Sequence, residues 1–380
     1  MKKRTLPSAE ENMMMSDITA ARREEFESAL DELTAKAPPP MPMALAVREG
    51  EIRNTKVHIR GDPERLGDEV PRGFLSLIDH VQSGALGTAS SGRLALAQWI
   101  AHDQNPLTAR VLVNRLWLYL FGRGLVGTPD NFGSMGELPS HPELLDYLAS
   151  EFMKEGWSTK KMVRRLMLCS TYQLSSEHHP EAFAADPENR LLWRMNRRRL
   201  DAESLRDSIL AVNSTLERTI GGELATEDRP DPGSINRTDL LASRRRTLYL
   251  PVFRGNLNDL YQVFDFPDPN ALAGKRFVTT APTQALFLMN SPFITGECKT
   301  WAGQLLAQSG KSEIELLQEV YLKAYARPCT AEEQQRASAF LEKYRNGLIA
   351  VEPGAANRQQ KALQAFCHAI LESTEFRFLN

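Results

Sequence analysis

The chain has 380 residues, 42% hydrophobic and 25% charged, the balance of a folded globular protein and not of a disordered one. Its formal net charge of −2 excludes the strongly basic make-up of a generic nucleic-acid binder. No apolar run reaches the roughly eighteen residues that a membrane-crossing helix needs.

The start, Met1-Lys2-Lys3-Arg4, imitates the head of a signal peptide, but the residues after it lack an apolar core, so the chain as written is not expected to export itself. Residues 17–36 place Phe26, Leu30 and Leu33 on one face among many charges, predicting a solvated amphipathic helix. Pro38, Pro39, Pro40 and Pro42 stop that helix with a stiff spacer, so residues 1–40 read as a helical linker and Pro-rich spacer. Ala44–Val47 and Lys56–Arg60 read as short β structure, with Gly61-Asp62 turning the chain, and residues 41–85 form a short β and irregular segment. The small-residue stretch Ser83–Ser91 marks the main boundary, and residues 86–380 form a helical domain.

Within that domain Leu96, Trp99 and Ile100 mark one helix. Ser158 caps another, whose buried side is Met162, Val163, Leu166 and Met167. Asp186-Pro187 opens a further helix, and Asp201 caps the one that carries Leu205, Ile209 and Val212. Gly221–Asn236 reads as a long exposed loop, and Thr247–Phe253 as a short strand that Pro251 confines to an edge. Five more helical segments follow between Pro282 and Glu372, with Thr330 and Glu333 forming a capping box. The expected fold class is mainly α: an irregular multi-helix domain with minor β content near residues 44–60 and 247–253.

The stretch from Asn105 to Glu151 organises the rest. Asn105 suits an N-cap, Pro106 the first helical position, and Gly122 the helix end. Ser140 and Glu143 have capping-box spacing for a second helix, on which Leu144, Leu148 and Phe152 recur at helical intervals. Between the helices lies a Gly-rich loop carrying Arg123, Asp130, Asn131, Glu137 and His141.

Each polar group here has a chemical reading and a structural one. Asp130, Glu137 and His141 are the weak catalytic candidates, as general acid, base or oxygen-rich metal site, though Asp, Asn and Gly are also ordinary turn chemistry. Arg110, Asn114 and Trp117 share one face of the first helix, and that stripe either binds an anionic group or clamps the loop. Clamping is favoured, with Arg110, Asn114 and Trp117 expected to be buried or nearly so, and with loop carbonyls and the carboxylates of Asp130 and Glu137 as the acceptors for Arg110. The runs Arg197-Arg198-Arg199 and Arg244-Arg245-Arg246 can hold phosphate, sulfate or uronate, or else pair with acids such as Asp201, Glu203, Asp207 and Asp259. The ligand-binding candidates are therefore Arg60, Arg110, Asn114, Arg198 and Arg245. His102-Asp103 and His178-His179 are poor metal pairs, because adjacent side chains point apart, and no metal site is expected. Four widely spaced cysteines read as small buried thiols. There is no G-x-S-x-G elbow, Walker loop or dinucleotide fingerprint.

The run GRLALAQWIAHDQNPLTARVLVNRLWLYLFGRGLVGTPDNFGSMGELPSHPELLDYLASEF resembles the C-terminal domain of unknown function of planctomycete-type multidomain cytochrome c-associated proteins. The resemblance continues through ENRLLWRMNRRRLDAESLRDSIL, RRRTLYLPVF, FDFPDPN, FVTTAPTQALFLMNSPF and LESTEF, covering roughly residues 44–380. It implies an exported setting in which a cytochrome c domain and a second uncharacterised domain precede this one. No C-x-x-C-H occurs here, so no haem or other cofactor is expected in this chain, which looks like the C-terminal piece of such a protein. Two functions remain open. One is a helical interaction or scaffold module, whose partners are other domains or proteins of a cytochrome c-linked cell-envelope system. The alternative is a hydrolase or polymer-degrading enzyme acting on an anionic polysaccharide.

Overall fold

Capping side chains and apolar stripes set most of the local structure. The computed structural model describes residues 17–36, 46–78, 86, 90–220, 241–255 and 257–379. Among them lie fourteen α-helices and two small two-stranded sheets, so the fold is mainly α with minor β. Two compact units are formed, one from Met1–Leu75 with Ser83–Leu96, the other from Ser76–Gln82 with Ala97–Asn380.

The first unit contains α1 (Asp17–Lys36), whose Phe26, Leu30 and Leu33 are 69%, 61% and 67% exposed. The amphipathic pattern thus produces the helix, but nothing among the described residues covers its apolar face. The strands β1 (Thr55–His58) and β2 (Leu66–Val70) pair antiparallel, with Thr55 opposite Val70 and His58 opposite Leu66. The strand expected to continue to Arg60 stops early, because Ile59–Gly61 makes a tight 3-10 turn with Arg60 in the left-handed region at φ 58°. Ala44 and Leu45 of the other expected strand, the Pro38–Pro42 spacer, the loop Gly221–Asn236 and most of Ser83–Ser91 lie outside the described residues.

Helix α2 (Arg93–Ile100) leads into the second unit. There α3 (Thr108–Phe121), α4 (Pro142–Lys154) and α5 (Thr159–Met167) enclose a core that includes Val113, Phe121, Leu148, Phe152, Met162 and Leu166. After α6 (Pro180–Ala185) and the strand β3 (Arg198–Arg199) comes α7 (Ala202–Val212). The series ends with α8 (Asp259–Val263), α9 (Pro282–Asn290), α10 (Pro292–Leu306), α11 (Glu313–Tyr325), α12 (Ala331–Gly347), α13 (Ala355–Glu372) and α14 (Thr374–Arg377). These bury a second core in which Ile209, Leu260, Ile294, Trp301 and Leu317 are essentially inaccessible, each such side chain contributing about 1.5–3 kcal/mol. The strand β4 (Phe378–Leu379) returns to pair antiparallel with β3.

The caps at Ser158 and Asp201 form, and Thr330 with Glu333 closes both halves of its capping box. Five local expectations do not survive. Helix α3 starts at Thr108 with Leu107 as its N-cap, and Asn105 instead accepts from the Leu107 and Thr108 N–H groups in the turn before it, so Pro106 is not the first helical residue. Pro142 takes the first helical position of α4, which makes His141 the N-cap, so Ser140 lies one residue too early for a box with Glu143. Asp186 ends α6 and opens no helix, since Asn189 and Leu192 adopt left-handed φ of 53° and 57° that a helix cannot contain. Thr247–Tyr249 is a 3-10 turn in place of a strand, its Thr247 N–H and hydroxyl both donated to Asp207. Met167, expected on the buried side of α5, is 43% exposed.

Candidate functional site

Helix α3 is held to the Gly-rich loop by one buried amide. Asn114 is fully buried; its Nδ2 donates to Val126 O at 3.0 Å and its Oδ1 accepts from Val126 N at 2.9 Å. Both polar faces of one side chain therefore satisfy both backbone groups of one loop residue. Trp117, also buried, stacks on Phe121 with ring centroids 4.1 Å apart. Gly122 ends the helix at φ 83°, and a Cβ there would fall 2.8 Å from Arg198 Cδ.

Arg110 behaves differently from the expectation of burial. Its side chain is 35% exposed, and it donates to Asp146 Oδ1 at 2.6 Å and to Pro106 O at 2.6 Å. The acid it finds is on α4, packed against α3, and not on the loop. The Arg110 hydrogen bond holds the Asp146 carboxyl below the ordinary carboxylate value.

The loop acids have their own engagements. Asp130 packs against Gly274, where any side chain would collide with its carboxylate. Glu137 covers Gly127 and pairs with Arg123 at 3.3 Å, while Arg123 also reaches Glu188 at 3.4 Å. His141 Nδ1 lies 3.0 Å from Ser140 Oγ. Among the described residues no hydrogen bond or ion pair joins Asp130, Glu137 and His141 to one another. The crevice between Arg123, Glu137, Ser140, Arg190 and Asn196 encloses about 20 Å³, which is room for about one water and far below the ~300 Å³ of a small-molecule pocket.

The remaining candidates are dispersed. Arg60 belongs to the first unit. Arg198 donates to Tyr119 O, and burial pushes its guanidinium pKa down. Arg245 lies over the Tyr249 ring, 5.4 Å from its centroid. His102 contacts its neighbour Asp103, and His178 and His179 pack against Trp193. No group of His, Cys, Asp and Glu that could hold a metal occurs among the described residues. The four cysteines are free, and Cys298, Cys329 and Cys367 are buried.

A second polar centre surrounds α7. Arg206 is fully buried, and its guanidinium donates to the carbonyls of Leu241, Ser243 and Arg245 and to the Thr247 hydroxyl. Buried Glu297 accepts from Arg244 and Asn213. Arg199, with 4% of its side chain exposed, pairs with Asp265 at 2.6 Å, and Arg276 grips both oxygens of Glu203 at 2.6 Å. Members of both Arg runs are thus paired within the fold, though with Asp265 and Glu297 and not the acids nearest in sequence. Burial pushes the Tyr261 hydroxyl up to about 12, so it stays protonated. A cleft of about 330 Å³ opens between α7 and the segment 246–252, and a groove of about 500 Å³ adjoins it along α7.

Sequence reasoning missed this centre, although one signal was present. Ala202, Leu205, Arg206, Ile209 and Leu210 follow the spacing of a buried stripe, so Arg206 is an arginine on an apolar face and needs several acceptors.

Fold and polar geometry together define a mainly helical chain in which the buried Arg199, Arg206 and Glu297 are each paired or hydrogen-bonded inside the fold. The chain belongs to the PSD1 family, described as a protein of unknown function (DUF1553), whose model matches residues 92–341. No curated protein and no solved structure matches it. No helix among the described residues is long and apolar enough to cross a membrane.

Proposed function

We propose that this chain is an interaction or scaffold module of an exported assembly of the planctomycete type, docking onto other domains or proteins of a cytochrome c-linked cell-envelope system. The observation that carries this reading is the dispersal of the polar candidates. Asp130, Glu137 and His141 do not converge, and Arg110, Arg123 and Arg199 each have an acid of their own. A hydrolase of anionic polysaccharides needs two carboxyl groups free to act in one sugar-sized space. The crevice beside Glu137 admits about one water, and in the larger cleft beside α7 Asp207 is engaged by Thr247 and Arg206 and Glu203 by Arg276.

The setting comes from the sequence resemblance, and the chain itself would contribute no redox centre. Titrating the full chain with the soluble cytochrome c domain of such an assembly, followed calorimetrically, is expected to give a Kd on the order of micromolar. No heat of binding, together with release of reducing ends from an acidic polysaccharide, would overturn the reading.

A further inference from the structure

The arginine run Arg244-Arg245-Arg246 is used unevenly. Arg244 pairs with Glu297, and Arg245 lies over Tyr249. The Arg246 side chain is exposed and makes no hydrogen bond or ion pair among the described residues, and the same holds for Arg218. Both line the roughly 500 Å³ groove along α7, together with the hydroxyl-bearing Ser204 and Ser208. Asp207, the acid in that lining, already accepts the Thr247 N–H at 2.9 Å and the Thr247 hydroxyl. Asp207 also lies 3.5 Å from the buried Arg206 guanidinium, so among the described residues the groove presents two guanidinium groups, of Arg218 and Arg246, with no acid of their own.

The neighbouring cleft of about 330 Å³ shares Ser204, Asp207 and Arg246 with the groove, so the two are continuous. Its character is different. Leu248 and Val252 stand at 71% and 41% exposure, above buried Leu250. The cleft also holds Asp201 and Glu203, but Arg276 pairs with both, at 3.7 and 2.6 Å, so its aliphatic side chains stand beside compensated acids while the groove end carries Arg218 and Arg246.

We infer that this trough is a docking site for an extended peptide segment of a partner protein, with acidic residues opposite Arg218 and Arg246 followed by aliphatic residues against Leu248 and Val252. The inference rests on the interaction-module reading and names the surface and the kind of partner. Charge complementarity selects acids at one end, and exposed aliphatic side chains select apolar residues at the other. A saccharide fits less well, because sugars stack on open aromatic faces, whereas in this cleft Tyr261 is 3% exposed and Phe266 is stacked on Tyr261 and has the Arg276 guanidinium over its ring.

The test is selection of a phage-displayed random dodecamer library on the full chain, with anisotropy titration of the enriched peptides. The expected result is peptides carrying acids beside aliphatic residues. Their affinity should fall about tenfold or more in the double variant Arg218→Glu with Arg246→Glu, and should weaken with added salt. Both arginines are exposed and make no ion pair among the described residues, so the variant should keep its circular dichroism spectrum. A photoreactive residue in place of Leu248 gives a second readout, since it should cross-link to the peptide even if the double variant misfolds. Peptides that bind without regard to the charge reversal and escape that cross-link would overturn the groove while leaving the module reading in place. So would arginine-dependent binding of a chondroitin sulfate oligosaccharide with no peptide enriched. A chain that binds such peptides but ignores the cytochrome domain would instead refute the partner proposed above and leave the groove intact.

Discussion

Asn114 and Arg110 share a face of α3, yet they differ in energetic weight. Asn114 satisfies two buried backbone groups, and Asn114→Ala leaves both stranded without water. A loss of about 2–4 kcal/mol is expected in urea unfolding, from roughly 1–3 kcal/mol per stranded group less local relaxation. Arg110→Ala removes a pair whose arginine is 35% and whose acid is 56% exposed, and such pairs contribute about 1 kcal/mol or less. Equal losses from the two substitutions would refute this ranking. The contrast also shows where sequence reading stops at the residue scale. That the polar stripe clamps the loop was legible, because a helix apolar nearly all round must bury its Asn against an acceptor. That Arg110 turns to Asp146 was not, because sequence proximity ranks Asp130 and Glu137 above an acid that only packing brings close.

At the scale of elements, local chemistry was read well wherever one residue decides it. Gly122 in the left-handed region, Ser158, Asp201 and the Thr330/Glu333 box act within a single turn of chain. The failures came where two local signals compete. Pro142 moves the start of α4 one residue past Ser140, and the Asp207 contact folds Thr247–Tyr249 into a turn despite its strand-forming residues. The box on α12 carries a pH dependence. Arg327 bridges Glu333 and Glu375, joining the end of α11 to α12 and α14. Its hydrogen bonds hold the Glu333 carboxyl at about 2, against an ordinary 4.5. A depressed carboxylate contributes fully above its unfolded value and loses that contribution as pH falls through the folded one. The melting temperature should therefore fall between about pH 4.5 and pH 2. In Arg327→Met it should start lower at neutral pH and fall less across that window; an unchanged pH profile would speak against the bridge. Helix α1 makes the opposite case. With Phe26, Leu30 and Leu33 all more than 60% exposed, deleting residues 1–40 should leave the melting temperature nearly unchanged. A drop of several degrees would show that α1 belongs to a core.

For the molecule as a whole, the mainly α class follows from capped periodic segments and was readable from the chain alone. The distribution of its charges was not. Each arginine run contains members that hold the fold and members that face water, and side-chain type cannot separate them. Arg199 and Arg206 are buried with acceptors drawn from distant segments, whereas Arg218 and Arg246 stand free among the described residues. On the proposed reading, the protein uses its buried charges to hold its own fold and leaves a few exposed ones for a partner. Equilibrium urea unfolding of four variants of the full chain, Arg199→Ala, Arg206→Ala, Arg218→Ala and Arg246→Ala, tests it most directly. The first two should lose about 3–5 kcal/mol, because each strands buried partners, and the last two should stay within about 0.5 kcal/mol of the parent. Four losses of similar size, or a neutral Arg206→Ala, would contradict the account.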